Sequence, residues 1–188
     1  DYLDSGALYR LTALAAQIQG VAWDDEAALE PIAAQLPAAF VAGGILLNGE
    51  DVSATIRQET IGMGASQVAK WPAVRAALLE RQRAFAGEHG VVADGRDMGS
   101  VVFPDAKLKV FLTASAEERA RRRALQLNID LNSAAYQAIV DDIKQRDLND
   151  TQRAVAPLKQ LPDAHLLDTT ALSIENAVKK VLDWYRQI

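Results

Sequence analysis

The apolar positions of this chain recur with two periods, and their alternation predicts the architecture. Val91-Val92-Ala93 is a short apolar run that stops at Asp94-Gly95-Arg96-Asp97, as a buried parallel strand does where it ends in a polar loop. Leu108, Val110 and Leu112 alternate with Lys107, Lys109 and Thr113, which predicts a second strand. His165 to Thr169 predicts a last one, and Asp1-Tyr2-Leu3-Asp4 reads as the tail of a strand. Between them the period lengthens to that of a helix. Leu8, Leu11, Ala15 and Ile18 share one face of a helix ended by Gly20, and Val74, Leu78 and Phe85 form the stripe of another, with Arg75, Arg81 and Arg83 on other faces and most of those charges solvated. Ser115 can cap a helix bearing Arg119, Arg121, Arg122 and Arg123, and Ser133 one that turns Tyr136, Ile139, Val140 and Ile143 inward. Ser173 starts the final helix, whose stripe of Ile174, Ala177, Val178, Val181, Leu182 and Tyr185 is the cleanest in the chain and predicts a structural role. Helix and strand in alternation imply an α/β fold on a parallel sheet flanked by helices.

The middle of the chain breaks this rhythm. Asp24 caps a short helix with Leu29, Ile32 and Leu36, after which Phe40-Val41, Gly43-Gly44, Ile45-Leu46-Leu47 and Asn48-Gly49 read as short strands and tight turns. A helical pattern resumes at Val52, is weakened by Gly62-Met63-Gly64, carries Ser66-Gln67 near its end and stops at Trp71-Pro72. Residues 24–68 are therefore expected to form an inserted small α+β subdomain. Residues 1–23 and 69–188 form the core around it, with a helical hairpin at 115–153.

Composition narrows the function classes. With 188 residues, 49% hydrophobic and 24% charged, the chain is an ordinary globular sequence. It has no cysteine, which removes disulfides and thiol nucleophiles, and its two histidines, His89 and His165, form no metal motif. No apolar run approaches the roughly 18 residues of a membrane span, and DYLDSG is not a leader. The expectation is a soluble cytoplasmic monomer with neither membrane nor nucleic-acid partners. A net charge of −5 counts against nucleic acid, as does the lack of aromatics interleaved with Arg119 to Arg123. Thirteen arginines against seven lysines point elsewhere. Arginine grips phosphate or carboxylate with two parallel hydrogen bonds.

Ligands of an open parallel sheet sit beyond the carboxyl ends of its strands, where Arg96 and its flanking acids are expected. Arg10, Arg75, the Arg119 to Arg123 helix and the Arg146, Asp147, Asp150, Arg153 cluster can converge on the same cleft. Each has a plainer reading. Arg10 lies in the first turns of a helix, where a cation opposes the dipole, and is equally a solvated arginine or a phosphate ligand. Arg146, Asp150 and Arg153, spaced by four and three, make a salt-bridged helix end when taken alone. Together, such an array suits phosphoryl transfer, which is catalysed mainly by positioning and by stabilising charge on the transferred group.

Four separated segments carry a more specific likeness. Leu3-Asp4-Ser5-Gly6-Ala7-Leu8-Tyr9-Arg10, Ser66-Gln67-Val68-Ala69, Asp94-Gly95-Arg96-Asp97-Met98-Gly99 with Val102-Phe103-Pro104-Asp105-Ala106, and Arg146-Asp147 through Arg153-Ala154-Val155-Ala156-Pro157-Leu158 closely resemble the bacterial cytidylate kinases, in that family's order and over the whole chain. The resemblance implies a P-loop nucleoside monophosphate kinase fold with an inserted monophosphate-binding subdomain and a helical lid. It implies transfer of the γ-phosphoryl of ATP to CMP or dCMP with Mg²⁺. Carried over residue by residue, Ser5, Tyr9, Arg10 and Arg96 would lie around the monophosphate and sugar. Ser66, Arg75, Asp97 and Arg153 would read the cytosine, and Arg146 and Asp150 would approach the pentose and phosphate. Arg119, Arg122 and Arg123 look like lid arginines that reach the ATP phosphates, Arg146 counts with them among the catalytic residues, and Asp94 would hold Mg²⁺ through water. Cytosine offers an amine, a ring acceptor and a carbonyl, so its reader needs an acceptor such as Asp97 and donors such as Arg75. The departure lies at the front, since the family's G-x-x-x-x-G-K-[ST] loop would need a Gly-Lys pair and this chain has none. The expectation is that about 30 leading residues, one strand, loop and helix unit, are absent, and that the 188 residues alone are inactive. The rival expectation is a noncatalytic pyrimidine-nucleotide sensor.

Overall fold

A computed structural model describes residues 1–188 and divides them into two compact units, Asp1–Val102 with Arg153–Pro157, and Phe103–Gln152 with Leu158–Ile188. No helix is long and apolar enough to cross a membrane.

The first unit runs β1 (Tyr2–Asp4), α1 (Ser5–Ile18), α2 (Glu26–Ala34), β2 (Ala38–Val41), β3 (Gly44–Leu47), β4 (Glu50–Asp51), a 3-10 turn (Thr55–Arg57), α3 (Glu59–Val68), α4 (Pro72–Arg83), β5 (Val92–Asp94) and a π-helical turn (Met98–Val102). Strands β1 and β5 pair in parallel, which sets Asp4 opposite Asp94 at their carboxyl ends. Helix α1 leaves β1 without a loop because Asp4 caps it, its Oδ1 accepting from the Ala7 amide at 3.0 Å. Leu8 and Leu11 are fully buried on α1 and, with Ile61 and Val68 of α3 and Val74 and Leu78 of α4, make the core. Each such side chain contributes about 1.5–3 kcal/mol of burial. Strands β2, β3 and β4 form an antiparallel sheet in that order. The turn between β3 and β4 takes Asn48 and Gly49 at φ of 52° and 84°, the pair of left-handed residues a two-residue hairpin requires.

The second unit runs β6 (Val110–Thr113), α5 (Ala116–Gln126), α6 (Ala134–Gln152), β7 (His165–Asp168) and α7 (Ile174–Tyr185). Strands β6 and β7 pair in parallel with Thr113 opposite Asp168. Helices α5 and α6 pack together as the expected hairpin, capped by Ser115 on the Glu118 amide at 3.1 Å and Ser133 on the Tyr136 amide at 3.2 Å.

Several local expectations change. The parallel strands form two separate pairs rather than one sheet. Asp25, not Asp24, caps α2, its Oδ1 accepting from the Ala28 amide at 3.0 Å. The helical pattern from Val52 resolves into the 3-10 turn and then α3, which Gly62 and Gly64 do not interrupt. Both glycines serve packing, since a Cβ on Gly62 would stand 3.1 Å from the Arg10 guanidinium and one on Gly64 2.6 Å from the Trp23 ring. Ile18 is 64% exposed despite its place in the α1 stripe, for it lies in the last turn beyond the packed faces. The stripe of α7 is likewise open, with Ile174, Val178, Leu182 and Tyr185 all exposed, so periodicity foretold the helix but not a covered face.

Candidate functional site

Helix α4 supplies the largest correction to the sequence reading. Most of the charges of Arg75, Arg81 and Arg83 are expected in solvent from the stripe alone, and all three are engaged. Arg81 donates to the carbonyl oxygens of Leu36, at 2.6 Å, and Ala38, holding the start of β2. Arg83 donates to Val102 and Val101 at 3.1 and 3.2 Å, satisfying carbonyls at the end of the π-helical turn. Arg75 is buried, donates to the Ala69 carbonyl at 3.0 Å and pairs with the buried Asp97 carboxylate. The Tyr9 ring lies beneath its guanidinium, 5.4 Å from carbon to centroid, within reach of a cation–π contact.

Two further expected residues, Tyr9 and Arg153, lie within electrostatic reach of this pair. Burial pushes the Tyr9 hydroxyl above its ordinary pKa. The Arg75 and Arg153 charges and the nearby Gln82 side chain act the other way, while Asp97 adds to the rise. Tyr9, Arg75, Asp97 and Arg153 thus share one electrostatic neighbourhood. Arg153 is half-buried in a turn that it closes on itself, its Nε donating to the Ala156 carbonyl at 2.6 Å. Ser5, only 2% exposed, turns its hydroxyl onto Gln82 at 3.0 Å. Arg10 is directed to the 3-10 turn, donating to Ile56 O at 2.7 Å and Gln58 O at 3.5 Å. Ser66 is half-buried on α3.

Asp94 ends β5, and Arg96 follows it in the loop that leads to Asp97. Burial, followed by the nearby Asp4 charge, pushes the Asp94 carboxyl above its ordinary value, against the pull of Arg96 and the Gly95 amide. Two carboxylates crowded at the ends of neighbouring strands are a donor set that suits a hard divalent cation, and Mg²⁺ needs only one or two carboxylates when phosphates and waters complete its shell. No cluster of three or more His, Asp and Glu offers a fuller cage.

The remaining candidates belong to the second unit. Arg119 forks onto both oxygens of Asp147 across the α5–α6 hairpin, with Nη1 at 2.9 Å, and this pairing raises its pKa. Arg122 reaches Glu118 at 2.8 Å and the Thr169 carbonyl at 2.6 Å. Arg123 is half-buried in the last turn of α5. Arg146 and Asp150 lie one turn apart on α6, Asp150 buried and its carbonyl accepting from the Leu158 amide at 2.8 Å. The residue that sequence reading passed over is Gln82, 1% exposed. Its signal was available, because Val74, Leu78 and Gln82 step by four and place a polar side chain within the apolar stripe of α4.

Comparison with known proteins agrees over the full chain. The family model described as cytidylate kinase matches residues 1–187. Curated proteins named cytidylate kinase include one from Neisseria gonorrhoeae, 62% identical over 188 residues, which covers all of this chain and 86% of the relative. Those from Chromobacterium violaceum and Pseudomonas syringae pv. tomato are each 60% identical over 186 residues, covering 99% and 96% of this chain and 84% and 81% of the relatives.

Proposed function

Because the chain belongs to the cytidylate kinase family, we propose that it transfers the γ-phosphoryl group of ATP to CMP or dCMP, giving CDP or dCDP. The observation that carries this reading is the buried Arg75–Asp97 pair with Tyr9 against it. Asp97 keeps acceptor capacity beyond its bond to Arg75, and a carboxylate acceptor is what the exocyclic amine of cytosine requires. Uracil would bring a carbonyl to the same place, leaving buried groups unpaired at about 1–3 kcal/mol each. Ser66 and Arg153 supply donors to the rest of the base. Tyr9, Arg10 and Arg96, with Ser5 beside them, take the monophosphate and sugar, and Arg146 and Asp150 approach the pentose.

On the donor side, Arg119, Arg122 and Arg123 act as lid arginines, which neutralise charge developing on the transferred group, a role worth about 10³ to 10⁵ in rate for a single such finger. The present anchors of Arg119 and Arg122, namely Asp147, Glu118 and Thr169, keep these guanidinium groups ordered until phosphates replace them. Asp94, through water, would hold the Mg²⁺ that accompanies ATP, and the ion would supply charge neutralisation at the phosphates. Residues 24–68 act as the monophosphate-binding subdomain and 115–153 as the lid, in a cytoplasmic monomer.

The test is a coupled assay of ATP consumption by the natural gene product with CMP, dCMP, UMP and AMP. CMP and dCMP are expected to be the efficient acceptors. Arg75→Ala and Asp97→Ala should lower kcat/KM for CMP far more than they change the KM for ATP. Equal damage to both nucleotides would contradict the roles given to this pair.

A further inference from the structure

Helix α3 carries a buried glycine at position 62, where alanine would serve the helix better. What fills the space above it is Arg10. A Cβ on Gly62 would stand 3.1 Å from both Nη atoms of Arg10 and 3.4 Å from its Cζ, tighter than a side-chain carbon ordinarily packs against its neighbours. The glycine that weakens the helical pattern in the sequence is thus the one residue type that leaves the guanidinium where it lies.

The backbone next to Gly62 holds the guanidinium there. Arg10 Nη1 donates to Ile56 O at 2.7 Å and to Gln58 O at 3.5 Å, and Gln58 O also accepts from the Gly62 amide at 3.0 Å. The start of α3 therefore provides both the carbonyls that anchor Arg10 and the gap that admits it. Gly64, two residues on, differs in kind, because its neighbour is the Trp23 ring, tied by its Nε1 to Ala13 O at 3.0 Å. The end of an arginine is flexible by comparison. A methyl group at position 62 would spare the fold and displace the guanidinium.

We propose that Gly62 is a positioning residue which, by lacking a side chain, keeps the Arg10 guanidinium on the Ile56 carbonyl, in the place from which it grips the phosphate of the acceptor nucleotide. This rests on the CMP reading above and deepens it. A guanidinium that holds a phosphate through parallel N–H donors needs both bonds at once, so its grip is sensitive to a small forced shift. The Arg75–Asp97 pair lies outside the contacts of Gly62 and keeps its geometry.

A double-mutant cycle in steady-state kinetics on the natural gene product tests the proposal. Gly62→Ala should lower kcat/KM for CMP about tenfold, the loss of one hydrogen bond to a charged group, while the KM for ATP changes by less than about twofold. In the Arg10→Ala background, where no guanidinium is left to displace, Gly62→Ala should cost no more than about twofold further. There it should also raise Tm, since alanine favours the helix once the clash is gone. If Gly62→Ala alone does not melt cooperatively, Arg10→Ala should restore its folding, and failure to restore it would overturn the inference. An equal loss of kcat/KM in both backgrounds, the mark of a glycine that serves the fold alone, would overturn it too, as would no loss with CMP at all. Inactivity of the unsubstituted protein towards CMP would instead end the functional reading, and this inference with it.

Discussion

Two kinds of ion pair occur in this molecule, and burial separates them. Arg75 and Asp97 are both buried, so removing either leaves an uncompensated charge at a cost of about 3–5 kcal/mol, whereas their joint replacement by apolar groups could be neutral. A pair kept in so costly a place fits a site that needs its charges. Glu118 is different, for its partners Arg121 and Arg122 are open to water. The hydrogen bond from Arg121, opposed by desolvation and helped by Arg122, lowers its carboxyl from 4.5 to about 2. A depressed folded pKa contributes stability that is present above 4.5 and is lost as the pH falls towards about 2. Glu118→Gln should therefore melt at a slightly lower temperature than the parent protein at neutral pH, with the difference closing across that window. A difference that stays constant from pH 6 down to pH 2 would remove the ion pairs as its cause. Asp94-Gly95-Arg96-Asp97 was legible as a polar cluster at a strand end, but not that Asp97 pairs with Arg75, 22 positions earlier. No local pattern encodes a contact at that separation.

Among the elements, α3 shows how a helix can be specified against its own propensities. Glycine in a helix interior ordinarily costs about 1 kcal/mol relative to alanine, so Gly64→Ala would be expected to stabilise. Here the Trp23 ring fills the space, with Trp23 Nε1 donating to Ala13 O at 3.0 Å and Trp71 Nε1 to Trp23 O at 2.9 Å. The first bond holds the ring and the second holds the backbone that carries it. Overpacking should win, and Gly64→Ala should lower stability by about 1–3 kcal/mol in urea denaturation. A gain in stability would mean that the ring yields. The helices themselves were readable from their stripes and from Ser115, Ser133 and Ser173, which cap as expected. Their boundaries were less so, as the start of α3 at Glu59 instead of Val52 shows. The 3-10 turn there exposes carbonyls to Arg10, a tertiary partner that no propensity anticipates.

For the whole molecule, the division of labour between the units gives the prediction. The expected cytosine readers, with Tyr9, Arg10 and Arg96, belong to the first unit, and the lid arginines to the second. CMP alone should slow amide exchange in α1, α4 and residues 94–102 well before it affects α7, as hydrogen–deuterium exchange can resolve. Uniform protection of both units would speak against this assignment. What the sequence determined by itself was whatever depends on neighbours along the chain: alternating strands and helices, the Asn48-Gly49 hairpin, the serine caps, and the family, carried by four motifs in order. What only the tertiary structure decided was which charges are buried, which stripes are covered, and that the buried Gln82 meets the Ser5 hydroxyl. Those outcomes depend on which distant groups share a small volume, and the energy of a buried polar atom is set by that company rather than by its place in the sequence.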